Sequence, residues 1–401
     1  MNRVLMTIAF LLLTVVALPA FEVVGTLRKV DVESGVLLIH TAGRDRSVTL
    51  GRHVDVQGTD GRPLEGGLKA KQLTNGADVT VEIDLRPDGL FVTRIRLGKA
   101  PALEPKASTG LRPLSEMTAG NKYKGEDGGL YGGGRNDPPE VHLKVASAQT
   151  GKIVPRNVDG KPAKDGAIGL ISISMSNATQ EFSLFKQFAD QDPRKSPYVT
   201  IVDCAQGGQA MAQWAKPEAG AWKEAERRLE AAKVSPNQVQ VAWIKLANAL
   251  PRGDLAQHGR QLREDTLAVL RNAKTRFTNL RVAYLSSRIY GGWTTVPLNP
   301  EPYAYEGAFV VRWLIQDQIN GQTQLNVDPA KGPVTVPVLL WGPYLWADGT
   351  TPRKSDGLIY EAEDVEIDGT HPSETGRRKV AEILLRFFQT DPLASTWYLR
   401  K

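Results

Sequence analysis

The feature that most constrains this chain is an alternation of short apolar runs with amphipathic segments from Gly166 onward. Ile168, Leu170, Ile171 and Ile173 mark the first apolar run, and 198–203, 239–246, 280–285 and 334–341 read as further strands. Between them apolar residues recur at helical spacing. Phe182, Phe185 and Ala189 form one such face, and 222–233 is a charged helix. Leu262, Thr266, Val269, Leu270, Ala273 and Phe277 form another, 306–319 a further helix, and Val380, Ile383, Leu384, Phe387 and Phe388 the last. Strands that alternate with helices predict a parallel sheet covered on both sides, an α/β/α sandwich. In such sheets, ligands bind at the carboxyl ends of the strands.

Those strand ends carry the candidate chemistry. The first reads Ile171-Ser-Ile-Ser-Met-Ser-Asn-Ala-Thr-Gln-Glu-Phe182, which predicts strand, tight turn and helix. A serine there, Ser176, can project its hydroxyl from the sheet edge, and the helix N-terminus offers N–H groups to a developing oxyanion. Read alone, a serine before a helix is more often an N-cap. The second strand end, Ile201-Val-Asp-Cys-Ala-Gln-Gly-Gly-Gln209, brings Gly208, where backbone can approach a ligand closely or simply turn. The third ends in Asn248, an amide able to donate to an oxyanion or to form a turn. The fourth feature is Asp368-Gly-Thr-His371-Pro-Ser373, directly before the last helix. A carboxylate three residues before a histidine can hold the imidazole tautomer while the other ring nitrogen faces a serine.

Together these residues resemble the SGNH (GDSL-like) hydrolase superfamily, over about 168–388. The resemblance implies a flavodoxin-like three-layer domain and acyl transfer without a metal or other cofactor. Ser176 would be the nucleophile, His371 the general base and Asp368 its orienting carboxylate. The N–H groups of Ser176 and Gly208 and the amide of Asn248 would form the oxyanion hole. Two departures matter. The family's Gly-Asp before serine is Ser174-Met175 here, which keeps Ser174 open as nucleophile. The usual Asn-Asp is Asn248-Ala249, which removes an acidic neighbour. Ser176-Asn177 and Ala205-Gln-Gly-Gly208, with Trp214 downstream, are similar to the sialate O-acetylesterase-like carbohydrate esterases, which implies deacetylation of a glycan.

Ser286-Ser-Arg-Ile-Tyr-Gly-Gly-Trp293 follows a strand end, and aromatics recur at 303–305 and 341–346. Rings beside an arginine suit a sugar, so Asn177, Arg288, Tyr290 and Trp293 are the expected substrate contacts, with core packing as the alternative. His142 opens a helix and reads as structural or as a cleft residue. His258, in a charged segment, is expected at the surface.

The rest of the chain bounds these readings. Residues 1–20 (Met1-Asn-Arg3, an apolar stretch, then Leu18-Pro-Ala20) read as a secretory signal, with an uncleaved anchor as alternative. Residues 21–99 alternate in short runs separated by turn residues, predicting a small all-β barrel or sandwich. Its aromatics are only Phe21 and Phe91, so a structural or protein-contact module is expected. Residues 100–165 are rich in Pro and Gly and read as a linker with a mobile loop at 125–139. That loop lacks the Lys-Ser/Thr ending of a phosphate loop. Cys204 is the only cysteine, so no intramolecular disulfide forms, and it reads as a buried small residue. The net charge of +6 allows weak attraction to acidic polysaccharide, but no basic-aromatic interleaving suggests nucleic acid. The expectation is an exported serine esterase acting on an acylated carbohydrate. A lipid or small-ester esterase and a non-catalytic glycan-binding protein are the alternatives.

Overall fold

The computed structural model describes residues 21–86, 89–98 and 103–401. The expected signal segment lies outside the described residues, as do parts of the turn at 87–89 and of the stretch 99–106. The chain divides into two compact units, the second running from Leu103 to Lys401.

The first unit is a closed barrel of five strands: β1 (Phe21–Asp31), β2 (Val36–Thr41), β3 (Arg44–Gln57), β4 (Asp78–Arg86) and β5 (Gly89–Leu97). Their order is β1-β2-β3-β5-β4, and β1 pairs with β4 to close it. All pairs are antiparallel except β3 with β5. Alternate residues such as Val23, Leu37, Ile39, Val81, Val92 and Ile95 fill the interior, as the period of a strand requires.

The second unit is built on a five-stranded parallel sheet: β6 (Ile168–Ile173), β7 (Val199–Val202), β8 (Val239–Lys245), β9 (Val282–Ser286) and β10 (Val338–Trp341). The order across it is β7-β6-β8-β9-β10. Counted within the sheet this is 2-1-3-4-5, the flavodoxin-like doubly wound order. Every residue of all these strands except Thr200 of β7 is buried, because helices cover both faces. The helices are α1 (Glu140–Thr150), α2 (Ser176–Gln191), α3 (Met211–Trp214), α4 (Gly220–Ala231), α5 (Leu255–Arg276), α6 (Tyr303–Ile319), α7 (Glu374–Thr390) and α8 (Ser395–Tyr398). Right-handed crossovers put α2 on one face and α4 to α6 on the other. Accordingly α2 packs on α7, and α5 on α6. Phe182 of α2 stacks on Trp243 of β8 at 5.5 Å, and Phe185 stacks on Phe388 of α7 at 5.3 Å. Truncating a ring buried like Phe182 costs about 3–5 kcal/mol. The strand order reverses at β6, so its carboxyl end is the crevice of the sheet. The chain enters α2 there.

Residues 103–165 are not the expected linker; they belong to the second unit. Arg312 of α6, almost fully buried, donates to the Asp127 carbonyl at 2.7 Å and pairs with Glu126 and Asp127. Tyr123 donates to Glu306 at 2.6 Å, and Trp341 to the Leu130 carbonyl at 2.7 Å. The glycine-rich run at 125–139, expected to be mobile, is pinned by these partners, which lie far away in sequence. His258 is likewise buried, not exposed. It bonds Glu306 and sets its ring edge-on to Tyr303, because the start of α5 packs against α6. His142 lies in α1, with Nε2 2.8 Å from the Leu339 carbonyl oxygen. Burial lowers its pKa, opposed by that bond. Cys204 is buried too, which pushes its thiol pKa up.

Candidate active site

The site starts where β6 ends. Ser174 is fully buried, and its hydroxyl donates to the Lys245 carbonyl of β8 at 2.5 Å. Met175 is extended, and Ser176 is the first residue of α2. The opening N–H groups of a helix have no acceptor within it and attract negative charge. Ser176 Oγ lies 2.7 Å from His371 Nε2, across 195 residues of sequence. His371 Nδ1 lies 2.5 Å from Asp368 Oδ2. A carboxylate on Nδ1 keeps the proton there and leaves the Nε2 lone pair to accept from the Ser176 hydroxyl. Asp368 is buried, and its Oδ1 accepts the N–H groups of Thr370 at 2.9 Å and His371 at 3.0 Å. Burial alone would push this carboxyl up. The attraction of His371 and these hydrogen bonds outweigh it and hold the pKa below the ordinary value. Of the two candidate serines, therefore, Ser176 faces the histidine and Ser174 is committed to the sheet.

His371 sits on a short loop ending at Ser373, whose Oγ caps α7 by accepting the Gly376 N–H at 3.4 Å. Gly369 turns this loop with φ +68°, and an added Cβ would lie 2.0 Å from the Trp293 carbonyl oxygen. Only glycine fits that approach. The expected substrate contacts are corrected here, because all four are buried, and Arg288 and Asn177 are spent on holding this loop. Arg288 Nη2 donates to the Thr370 carbonyl at 3.0 Å, and Asn177 Nδ2 donates to the same oxygen at 2.8 Å. Tyr290 is buried, with its hydroxyl donating to the Lys106 carbonyl at 2.7 Å. Trp293 is buried, with Nε1 donating to the Tyr360 carbonyl at 2.9 Å. Tyr305, Trp341, Tyr344 and Trp346 are buried as well, so these rings do not form an open aromatic cleft. Aromatics on loops at a strand edge gave no sign of facing inward, since composition is the same for either direction.

The two other oxyanion candidates also lie at strand ends. Gly208 is exposed after β7 with φ +73°, and open space surrounds it. Two residues before it, the Gln206 N–H donates to the Ser174 carbonyl at 3.0 Å, tying this loop to the nucleophile's turn. Trp214 Nε1 donates to the same carbonyl at 3.1 Å. Asn248 accepts the Ala212 N–H on Oδ1 at 2.8 Å and donates from Nδ2 to Asp265 of α5 at 2.6 Å. An amide has two N–H bonds, so one remains beyond that to Asp265.

No protein-family model matches the chain, and no curated protein matches it. Solved structures give distant likenesses. The periplasmic domain of a lipopolysaccharide acetyltransferase from Salmonella ser. Paratyphi A is 11% identical, covers 62% of this chain and 95% of its own, and has a TM-score of 0.30. The protein YXIM of Bacillus subtilis is 10% identical, covers 93% of this chain and 78% of its own, and has a TM-score of 0.28. Silver-bound CusF from Escherichia coli is 12% identical, covers 21% of this chain and 98% of its own, and has a TM-score of 0.16. Likenesses this slight carry no argument about chemistry, which rests on the geometry of the site.

That geometry includes residues passed over in the sequence. Asp203 at the end of β7 accepts hydroxyls from Ser172 at 2.5 Å, Ser183 at 2.7 Å and Thr179. Burial raises its pKa against these three donors. It joins β6, β7 and α2 behind the nucleophile. Its signal was a lone acid within an apolar strand run. Lys245 and Glu181, both fully buried, pair at 2.6 and 2.5 Å beneath Ser174. Outside, a groove of about 400 Å³ runs between α2 and α7. Thr179, Gln180, Ser183 and Gln187 line one side and Glu374 and Arg377 the other, with Leu184 as its apolar wall. It begins one helical turn past Ser176. Among the described residues, no three His, Cys, Asp or Glu side chains come together to hold a metal ion.

Proposed function

We propose that this protein is an exported serine ester hydrolase of SGNH type that removes acetyl or other acyl groups from a carbohydrate. The observation that carries the reading is the unbroken series Ser176 Oγ, His371 Nε2, His371 Nδ1 and Asp368 Oδ2, at 2.7 and 2.5 Å. A flavodoxin-like strand order with the serine at its crevice supports it. Ser176 attacks the ester carbonyl as His371 takes its proton. The N–H groups of Ser176 and Gly208 and the Asn248 amide receive the oxyanion. The intermediate collapses, and His371 returns the proton to the departing alcohol. Water then attacks the acyl-serine, again through His371, and the acid and free Ser176 result.

The carbohydrate half of the reading rests on the groove between α2 and α7, where the amides of Gln180 and Gln187 and the charges of Glu374 and Arg377 stand beside apolar Leu184, a mixed lining that suits a sugar's apolar face and polar rim. A lipid or small-ester esterase is the alternative, and a non-catalytic glycan-binding protein the other. The catalytic series weighs against the latter, because a binding protein has no need of a serine within hydrogen-bond reach of an oriented imidazole. Export rests on residues 1–20. Among the described residues no helix is long and apolar enough to cross a membrane.

The test compares wild type with Ser176→Ala for acetate release from a chromogenic acetyl ester and from acetylated xylan. Loss of both activities in the variant supports the carbohydrate esterase. Activity on the small ester alone moves the substrate elsewhere. No activity in wild type on any ester favours the binding protein.

A further inference from the structure

We propose that Arg288, together with Asn177, positions the catalytic histidine by clamping the peptide unit that carries it, an inference that rests on the hydrolase reading above. The unit is the Thr370–His371 peptide. Its carbonyl oxygen accepts two hydrogen bonds, from Arg288 Nη2 at 3.0 Å and Asn177 Nδ2 at 2.8 Å. Its N–H donates to Asp368 Oδ1 at 3.0 Å. A trans peptide is a rigid plane. Holding both its ends fixes the Cα of His371 and therefore the reach of its ring toward Ser176.

Each clamp residue ties the loop to something specific. Asn177 is the second residue of α2, directly after Ser176. Its bond to Thr370 therefore joins the nucleophile's helix directly to the histidine's loop. Arg288 comes from the loop after β9, so the peptide is also referenced to the sheet. Thr294 of the same loop adds a third contact, accepting the Thr370 hydroxyl at 2.6 Å.

The state of Arg288 argues for this role over a contribution to stability. The side chain is buried at 3% exposure. Its Nε has no hydrogen-bond partner, and Nη1 reaches the Leu298 carbonyl only at 3.5 Å. A buried guanidinium with donors unmet is costly, and an apolar side chain of similar volume would remove that cost. What an apolar residue could not supply is the donor to the Thr370 carbonyl. Burial also keeps Arg288 and Asn177 from touching substrate, so they are positioning residues.

The experiment uses the full-length mature protein and the variants Arg288→Lys, Arg288→Met and Asn177→Ala. Two quantities are read: kcat and KM on a chromogenic acetyl ester, and the rate of covalent labelling of Ser176 by a fluorophosphonate. Misplacing the histidine by about an ångström predicts a loss of about 10²-fold in kcat and in labelling rate for Arg288→Met and Asn177→Ala, with KM within about twofold. Arg288→Lys keeps a cation and a donor and restores part of the loss. If Arg288→Met does not fold, Asn177→Ala and Arg288→Lys decide. A rise in KM at constant kcat, or labelling at the wild-type rate in folded variants, overturns the inference alone. A wild type that neither labels nor hydrolyses any ester overturns the hydrolase reading and this inference with it.

Discussion

Asp265 accepts the side-chain amide of Asn248 at 2.6 Å, from a position 17 residues further along the chain. The acidic neighbour that the dipeptide Asn248-Ala249 lacks is thus supplied from the face of α5. Its effect is to fix the amide plane. One N–H goes to Asp265, the oxygen takes the Ala212 N–H, and the remaining N–H has a set direction. If that N–H serves the oxyanion, Asn248→Ala lowers kcat by about 10²–10³-fold with little change in KM. Asp265→Ala leaves the donor present but free to rotate, so its loss is smaller. Steady-state kinetics on a chromogenic ester measure both. Equal activity of Asn248→Ala and wild type removes Asn248 from the oxyanion hole.

Ser174 and Ser176 are separated by one residue and by opposite environments. Ser174 is sealed in the sheet with its hydroxyl on the Lys245 carbonyl, whereas Ser176 meets His371. Ser176→Ala is expected to abolish turnover and fluorophosphonate labelling. Ser174→Ala leaves the Lys245 carbonyl with one partner fewer, a cost of about 1–3 kcal/mol in denaturant unfolding, and retains labelling. Mass spectrometry of the labelled peptide distinguishes the two, since a label on Ser174 contradicts the geometry directly.

How much of this was legible in the sequence follows from the range of each interaction. The strands, the helices and the order of the site blocks rest on local periodicity, and the sequence carries them. Ser176, His371 and Asp368 were legible for the same reason, since each belongs to a short pattern at the end of a predicted element. What the sequence hid were partnerships across long separations. The glycine-rich run at 125–139 looks mobile until Arg312 is placed beside it. Asp265 is one of two adjacent acids on a largely basic helix until it reaches Asn248. Arg288, Tyr290 and Trp293 have the composition of a sugar site, and only the fold turns them inward and buries them. The period of a helix or strand tells which face is buried, but a loop has no period to read.

The lowered pKa of Asp368 makes a prediction with a definite sign. A carboxyl whose folded pKa lies below its ordinary value of 3.8 stabilises the fold at pH above that value. The contribution fades as pH falls from 3.8 through the folded pKa. Acid unfolding of wild type should therefore contain a component in that window that Asp368→Asn lacks. The same variant removes the charge that holds the His371 proton on Nδ1, and kcat should fall by about 10⁴-fold. Denaturant titrations at a series of acid pH values, with kinetics at neutral pH, check both halves. A variant whose stability tracks wild type through that window would show that Asp368 carries no such linkage.

Glu181 stands between two buried cations, and this ranks the variants beneath the site. It pairs with Lys245, and Arg288 also acts on it through charge. Burial pushes the Glu181 carboxyl up, against the pull of Lys245, and pushes the Lys245 amine down to about 8. Both shifts favour neutral forms, as expected where desolvation is the larger effect. Lys245→Met leaves one carboxylate that can take up a proton or lean on Arg288, for a cost of about 3–5 kcal/mol. Glu181→Gln takes from Lys245 its counter-charge while Arg288 still repels it, which drives the amine further down, so it should cost more. Replacing both, Glu181→Leu with Lys245→Met, removes the charges together and should recover most of the loss. Chemical denaturation of the three variants gives the order. A Glu181 variant as stable as wild type, or a double variant whose cost equals the two singles added, would show that the pair is not coupled as described.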